Sequence, residues 1–207
     1  MQTLWNKSDI YAEPVGLSPP DAELIYFPQF LPQTLADDLL NFWIHSIAWQ
    51  ALPIRIFGKE YMQPRLTAWY ADAGVNYTYS GIRLQPESWT PELQNVKLEI
   101  EKVSGCIFNS VLLNYYRNGN DSMGWHADDE PELGKNPIIG SLTLGATRSF
   151  HLKHRSRKDV QPLKIHMAHG SLLIMAGTTQ HHWLHQVPKC AKPVQGRINL
   201  TFRNIFS

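Results

Sequence analysis

Cysteine is scarce in this 207-residue chain: there are two, Cys106 and Cys190, too few to staple a small secreted scaffold. That scarcity points to a reduced compartment, cytoplasmic or, in a eukaryote, nuclear. No apolar run approaches the length needed to span a bilayer, so no membrane partner is expected. The amino terminus, Met-Gln-Thr-Leu-Trp-Asn-Lys-Ser-Asp, lacks the apolar centre of a secretory signal. An excess of one charge is missing too. Lys and Arg number 19 against 18 Asp and Glu, a formal net charge of +1, so any grip on a polyanion must come from local patches. Repeats and low-complexity segments are absent, which excludes solenoids and fibres.

What is present fits one domain with a large core: 43% hydrophobic and 18% charged residues. Residues 1–20 carry Pro14, Gly16, Pro19 and Pro20 with little periodicity and read as a flexible arm. Leu24–Phe27 reads as a short strand. Beyond Pro32, Leu35, Leu39, Phe42, Trp43 and Ile47 recur at three-to-four spacing, the mark of an amphipathic helix. A second helix is expected from Thr90 as N-cap and Pro91, through Leu93, Val96, Leu98 and Ile100, to a stop near Gly105. After Phe108 the pattern changes to short β-prone runs separated by turn residues: 111–116, 138–144, 149–152, 163–167, 171–175 and 197–202. The expected class is α+β, mainly β: a sandwich or barrel from the second half, backed on one sheet by helices from the first. No linker marks a boundary within residues 21–207.

The chemistry gathers in that second half. His126 and Asp128, two apart in an extended segment, project to the same side. His181, His182 and His185 follow downstream, and spacing alone does not choose among them. Two imidazoles and one carboxylate can occupy one face of an octahedral iron(II), leaving positions for a co-substrate and oxygen. The bland reading of His-X-Asp is a hydrogen-bonded surface turn.

Further along, Arg197, Asn199, Thr201 and Arg203 share one strand parity and Ile198, Leu200 and Phe202 the other. A surface strand would alternate in the same way. Yet two guanidinium forks beside a His/Asp/His group form a seat for a dicarboxylate, and Asn114 and Tyr116 share a parity on the strand preceding the ligand loop. The combination suggests an iron and 2-oxoglutarate dioxygenase.

Five segments, in order, resemble the AlkB family of nucleic-acid demethylases over residues 23–205: Asn114-Tyr-Tyr-Arg-Asn-Gly, Trp125-His-Ala-Asp-Asp-Glu130, His169-Gly-Ser-Leu-Leu, His182-Trp-Leu-His-Gln-Val-Pro and Arg197-Ile-Asn-Leu-Thr-Phe-Arg203. The resemblance selects His185 as third metal ligand and leaves His182 to packing or support. It implies a double-stranded β-helix, or jelly roll. It also implies Fe(II), O2 and 2-oxoglutarate as cofactor set, with Arg197 on the distal carboxylate and Arg203 at the chelating end. Asn114, Tyr116, Asn199 and Thr201 would support them. The implied reaction oxidises an N-linked methyl group, on bases such as 1-methyladenine and 3-methylcytosine, and releases formaldehyde, succinate and carbon dioxide.

Within that family the chain is most similar to members that repair double-stranded DNA. A nucleotide-recognition lid is expected over about residues 50–85. Arg55-Ile56-Phe57-Gly58-Lys59 resembles a hairpin finger, with Phe57 as the wedge that fills the gap left by a flipped base and a Gly-Lys turn; Arg65 joins these as a DNA contact. Tyr77 and Tyr79 resemble the base-binding lid, with Tyr79 stacking on the base opposite His126. Asp129 and Glu130 can accept from an exocyclic amine. One departure from the family is the stretch Lys189-Cys-Ala-Lys192, which carries two lysines where relatives carry a compact basic run. Phosphate grip would then weaken or move to Lys153-His-Arg155-Ser-Arg157-Lys158, unless that cluster is a solvated hairpin tip. The expected partner is duplex DNA with a flipped damaged base, acted on by a monomer. The alternatives are an RNA or single-strand demethylase, a dioxygenase of proteins or small molecules, and a non-catalytic nucleic-acid-binding β-sandwich.

Overall fold

The computed structural model describes residues 13–56, 59–75, 77–79, 82–84, 86–192 and 194–206, and at 54–56, 59, 77–79 and 82–84 it describes the backbone alone. Apolar spacing builds α1 (Gln33–Ser46), whose buried stripe is Ala36, Leu39 and Trp43. The second helix, α2 (Pro91–Ser104), starts and stops where its capping residues dictate. Thr90 Oγ1 accepts from the Leu93 N–H at 3.3 Å, and Pro91 takes the first turn, where no N–H is needed. Gly105 ends the helix in the left-handed region at φ 65.

Two antiparallel sheets face each other. The larger runs β1 (Val15–Leu17), β2 (Glu23–Phe27), β13 (Ser171–Ala176), β10 (Ile139–Gly145), β15 (Arg197–Arg203), β8 (Ser110–Tyr116) and β5 (Leu66–Ala71). The smaller runs β12 (Leu163–Met167), β11 (Arg148–His154), β14 (Trp183–Val187) and β9 (Met123–His126). A single helical turn, α3 (Thr179–His182), leads from β13 into β14. The stacking of two antiparallel sheets is the jelly-roll architecture, with α1 and α2 backing the larger sheet as expected.

The larger sheet is covered on both faces. Toward the helices it presents Val111, Leu113, Leu142, Leu144, Ile198, Leu200 and Phe202, packed with Trp43, Leu93, Val96 and Ile100. Toward the smaller sheet, Leu112, Tyr116, Ile139, Leu173 and Met175 meet Phe150, Leu152, Ile165, Met167 and Trp183. Each such apolar side chain contributes roughly 1.5–3 kcal/mol on burial. Strand β15 lies between β10 and β8, and all seven of its residues are buried. Its polar row is therefore interior, which excludes the surface-strand reading of the alternation.

The arm is shorter than its composition suggests. Val15–Leu17 pairs antiparallel with Leu24–Tyr26 at the edge of the larger sheet, because β2 would otherwise leave its backbone edge open there. Two small hairpins lie within the expected lid. The first joins β3 (Pro53–Ile56) to β4 (Lys59–Met62), and the second joins β6 (Tyr77–Tyr79) to β7 (Ile82–Leu84). Ile56 is opposite Lys59, so Lys59 belongs to the returning strand and not to the turn. Phe57 and Gly58 lie outside the described residues, as do the side chains of Arg55, Ile56, Lys59, Tyr77 and Tyr79. Among the described residues no helix is long and apolar enough to cross a membrane.

Candidate metal centre and co-substrate cavity

Strand β9 ends on His126, and β14 lies beside it with His185 directly opposite. His126 Nδ1 sits 2.9 Å from the Gly124 carbonyl. A carbonyl only accepts, so Nδ1 carries the ring proton and Nε2 keeps its lone pair. His185 Nε2 is 3.1 Å from that nitrogen and 3.8 Å from Asp128 Oδ2. One donor atom from each of the three residues falls within 4.8 Å of the others. The buried Gln180 amide oxygen accepts from the Asp128 N–H at 3.0 Å and fixes the ligand loop from α3.

The electrostatics suit a cation. Burial works to raise the Asp128 carboxyl, but Arg203, then His185 and His126, outweigh it and hold it at about 2. Arg203 Nη2 donates to Asp128 Oδ1 at 2.5 Å. Burial, and then the neighbouring His126, lowers His185 to about 3; burial lowers His126 as well. Near neutral pH the group is thus one carboxylate and two neutral imidazoles, a donor set that fits iron(II).

A second group among the described residues, Asp21, His154 and His182, also brings its donor atoms within 4.8 Å. Here the ring chemistry is reversed. The N–H groups of Ser156 and Arg157 both donate to His154 Nδ1, at 3.3 and 3.0 Å. Nδ1 is therefore the acceptor, and Nε2 must carry the proton that faces Asp21 Oδ2 at 3.2 Å. Arg157 Nη1 stands 3.6 Å from the same carboxylate oxygen. That cluster is a hydrogen-bonded joint between β11 and the β1–β2 turn, with the His182 ring stacked on His154 at 5.7 Å.

Beside the metal centre is a cavity with an empty volume of about 450 Å³, open to solvent and lined by residues of both sheets. Asn114, Tyr116, Asn199, Thr201 and Arg203 line it with the three metal-binding candidates, as their parity requires. Its polar wall is tied together. Asn199 Nδ2 donates to Ser141 Oγ at 2.9 Å, and Thr201 Oγ1 to Asn199 Oδ1 at 3.1 Å. Arg197 is not on the wall; its guanidinium carbon lies 5.2 Å from the ring of Tyr116, which is. Arg197 is 1% exposed, donates through Nη2 to Thr143 Oγ1 at 2.8 Å and interacts with the Tyr116 hydroxyl, while Nε and Nη1 have no hydrogen-bond partner among the described residues. Burial lowers it to about 10, still charged at neutral pH. A buried guanidinium with two open donors and no carboxylate partner among the described residues suits an incoming anion, since leaving such groups unsatisfied costs on the order of 1–3 kcal/mol.

Arg65, expected as a DNA contact, faces the cavity. It is buried, lines the cavity, and donates from Nε to Asn114 Oδ1 at 2.7 Å. It sits just before β5, whose register puts Thr67 opposite Asn114 and so turns Arg65 inward. Asp129 is held by Arg155 at 2.6 Å, whereas Glu130 Oε2 is buried with no partner. The basic cluster at the end of β11 is partly paired: Arg155 with Asp129 and Arg157 with Asp159 at 2.8 Å, while Lys153 lies over the Trp125 ring at 4.4 Å. Lys189 and Lys192 are exposed.

Sequence reasoning missed Gln180, Arg148, Ser141 and Thr143. The last two share a parity on β10 opposite Thr201 and Asn199, a signal that could have been read once the strands were paired. Gln180 and Arg148 have no such signal, because the partners that give them their roles here are backbone groups of distant loops.

Residues 23–203 match the 2OG-Fe(II) oxygenase superfamily. The chain is 40% identical over 206 residues to the alpha-ketoglutarate-dependent dioxygenase alkB homolog 3 of Homo sapiens, covering 96% of this chain and 70% of that protein. It is 42% identical over 158 residues to the DNA oxidative demethylase ALKBH2 of Mus musculus, covering 73% of this chain and 66% of that protein. The solved structure of OsALKBH1 superposes with a TM-score of 0.66 at 20% identity, over 93% of this chain and 100% of that one, a likeness of fold.

Proposed function

The chain belongs to the 2OG-Fe(II) oxygenase superfamily and to the AlkB homologues within it, and from that premise we propose that it removes N-linked methyl groups from nucleic-acid bases. The cofactor set of the family is Fe(II), O2 and 2-oxoglutarate. His126, Asp128 and His185 would hold the metal, and the observation that carries this assignment is the ring polarity of His126: its proton is committed to Gly124, so its lone pair faces the other two donors. Bound iron supplies the oxidising power that the side chains lack.

The chain's own residues bind, orient and exclude. Arg203 holds one oxygen of Asp128 and leaves the other toward the imidazoles. Arg197 would take the distal carboxylate of 2-oxoglutarate through its open Nε and Nη1, with Tyr116, Asn114, Asn199 and Thr201 shaping the passage. Leu112, Met123, Phe150, Met175 and Val187 make up the apolar lining, which would limit water near the methyl group. Glu130, with a buried open oxygen, is the better acceptor for an exocyclic amine than Asp129, which Arg155 occupies. Arg65 would face the substrate from the cavity wall. Tyr77 and Tyr79 would clasp the base, and Phe57 would wedge a duplex open.

DNA as substrate rests on the name of the mouse ALKBH2 relative, and action on duplexes rests on the finger reading. The test is a demethylation assay with 1-methyladenine and 3-methylcytosine in matched single- and double-stranded DNA and RNA. Formaldehyde and succinate in equal amounts are expected, with Phe57→Ala reducing duplex repair far more than single-strand repair. No product on any substrate would overturn the reading, and equal losses on both forms would remove the finger.

A further inference from the structure

A buried cation that the metal and co-substrate assignments do not use stands behind Tyr116. Arg148 opens β11 and is 3% exposed. Its fork reaches three backbone carbonyls: Nη1 donates to Asn118 at 3.1 Å, and Nη2 donates to Asp121 at 2.9 Å and to Pro188 at 2.6 Å. Asn118 and Asp121 belong to the turn from Tyr116, the end of β8, to β9, the strand that ends on His126. Pro188 directly follows β14, which carries His185. The same two segments touch elsewhere: the Cys190 N–H donates to the Gly119 carbonyl at 2.8 Å, and a Cβ on Gly119 would fall 2.4 Å from the Cys190 oxygen. One guanidinium thus ties the loop that precedes the first metal-binding strand to the loop that leaves the second.

Arg148 also lies over the Tyr116 ring at 5.7 Å, and Arg197 over that ring at 5.2 Å. Two buried guanidinium groups sharing one aromatic ring repel each other, and what holds Arg148 in place against that repulsion is its three carbonyls. Tyr116 borders the cavity and Arg197 does not. The position of the ring therefore governs how an anion in the cavity reaches Arg197.

We propose that Arg148 is a positioning residue for the co-substrate: by clamping the 118–121 and 188 carbonyls beside Tyr116, it sets the ring in front of Arg197 and so the affinity for a dicarboxylate. This rests on the assignment of 2-oxoglutarate to Arg197. A lysine keeps the charge but cannot reproduce a planar fork on three carbonyls, so charge and positioning separate experimentally.

The test measures 2-oxoglutarate dissociation constants by calorimetry on Mn(II)-loaded protein, without turnover. The variants are Arg148→Lys, Arg148→Gln, Tyr116→Leu and the double variant Arg148→Lys with Tyr116→Leu. Arg148→Lys is expected to weaken 2-oxoglutarate about 10-fold while Mn(II) affinity stays within about 2-fold, in line with the loss of a supporting partner. In the Tyr116→Leu background the same change should add nothing, because its route is removed. An unchanged constant in Arg148→Lys, a parallel loss of Mn(II), or a full additional loss in the double variant would each overturn the proposal. Should Arg148→Gln fail to fold, the lysine variant and the cycle still decide it. Wild-type protein that binds no 2-oxoglutarate would instead overturn the co-substrate assignment itself.

Discussion

Two groups of two imidazoles and one carboxylate gather at the four-stranded sheet, around His185 of β14 and around His154 of β11, and they differ in where the ring protons point. At His126 a carbonyl takes the Nδ1 proton and a lone pair is left for a cation. At His154 two backbone N–H groups take the Nδ1 lone pair, and a proton is left facing Asp21. Residue type and the closeness of the donor atoms are alike in both; the backbone groups within reach of the second ring nitrogen set the chemistry. The first group also opens on a solvent-connected cavity with a polar wall, whereas the second ties a strand to a turn.

The largest expected effect breaks that comparison outright. Asp128→Ala and His185→Ala should abolish iron-dependent succinate formation, while His154→Ala keeps it and loses stability alone. Equal loss of turnover in His154→Ala would erase the distinction between the clusters. Next in size is the anion end of the cavity: Arg197→Met should raise the 2-oxoglutarate KM by ~10–100-fold, the usual worth of a charge-assisted fork, read from steady-state succinate release. An unchanged KM would move the dicarboxylate elsewhere.

A smaller effect sharpens the support of the metal loop. Gln180→Leu leaves the buried Asp128 N–H without its acceptor, which should lower thermal stability by about 1–3 kcal/mol and weaken Fe(II) binding ~10-fold. The smallest is a pH slope. His185 titrates at about 3 in the metal-free fold, below its value of roughly 6.5 in an unfolded chain. Between those values the unfolded state binds the extra proton, so metal-free stability falls as pH drops from about 6.5 toward 3, by up to ~1.4 kcal/mol per unit. Denaturant midpoints across that range should show the slope in wild type and a shallower one in His185→Asn.

Periodicity and capping made α1, α2 and seven of the fifteen described strands legible in the sequence, because those signals are local: Thr90, Pro91 and Gly105 act within a few residues of themselves. The inward row of β15 was legible as alternation, but its interior position depended on strands β8 and β10, which come from far along the chain. The same reason hid Arg65, whose inward turn follows from pairing with Asn114. Choosing His185 over His181 and His182 needed family resemblance, and the rejection of His154 needed two backbone N–H groups that no residue pattern announces. Val15–Leu17 was hidden by its surroundings of proline and glycine, since an edge strand borrows its order from the neighbour it pairs with.

The most direct measurement is an anaerobic Fe(II) titration of wild type, Asp128→Ala and His154→Ala side by side. One Fe(II) per chain is expected for wild type and His154→Ala, with none held tightly by Asp128→Ala. Two ions in wild type, or one that survives in Asp128→Ala and disappears in His154→Ala, would contradict the placement of the iron between His126, Asp128 and His185.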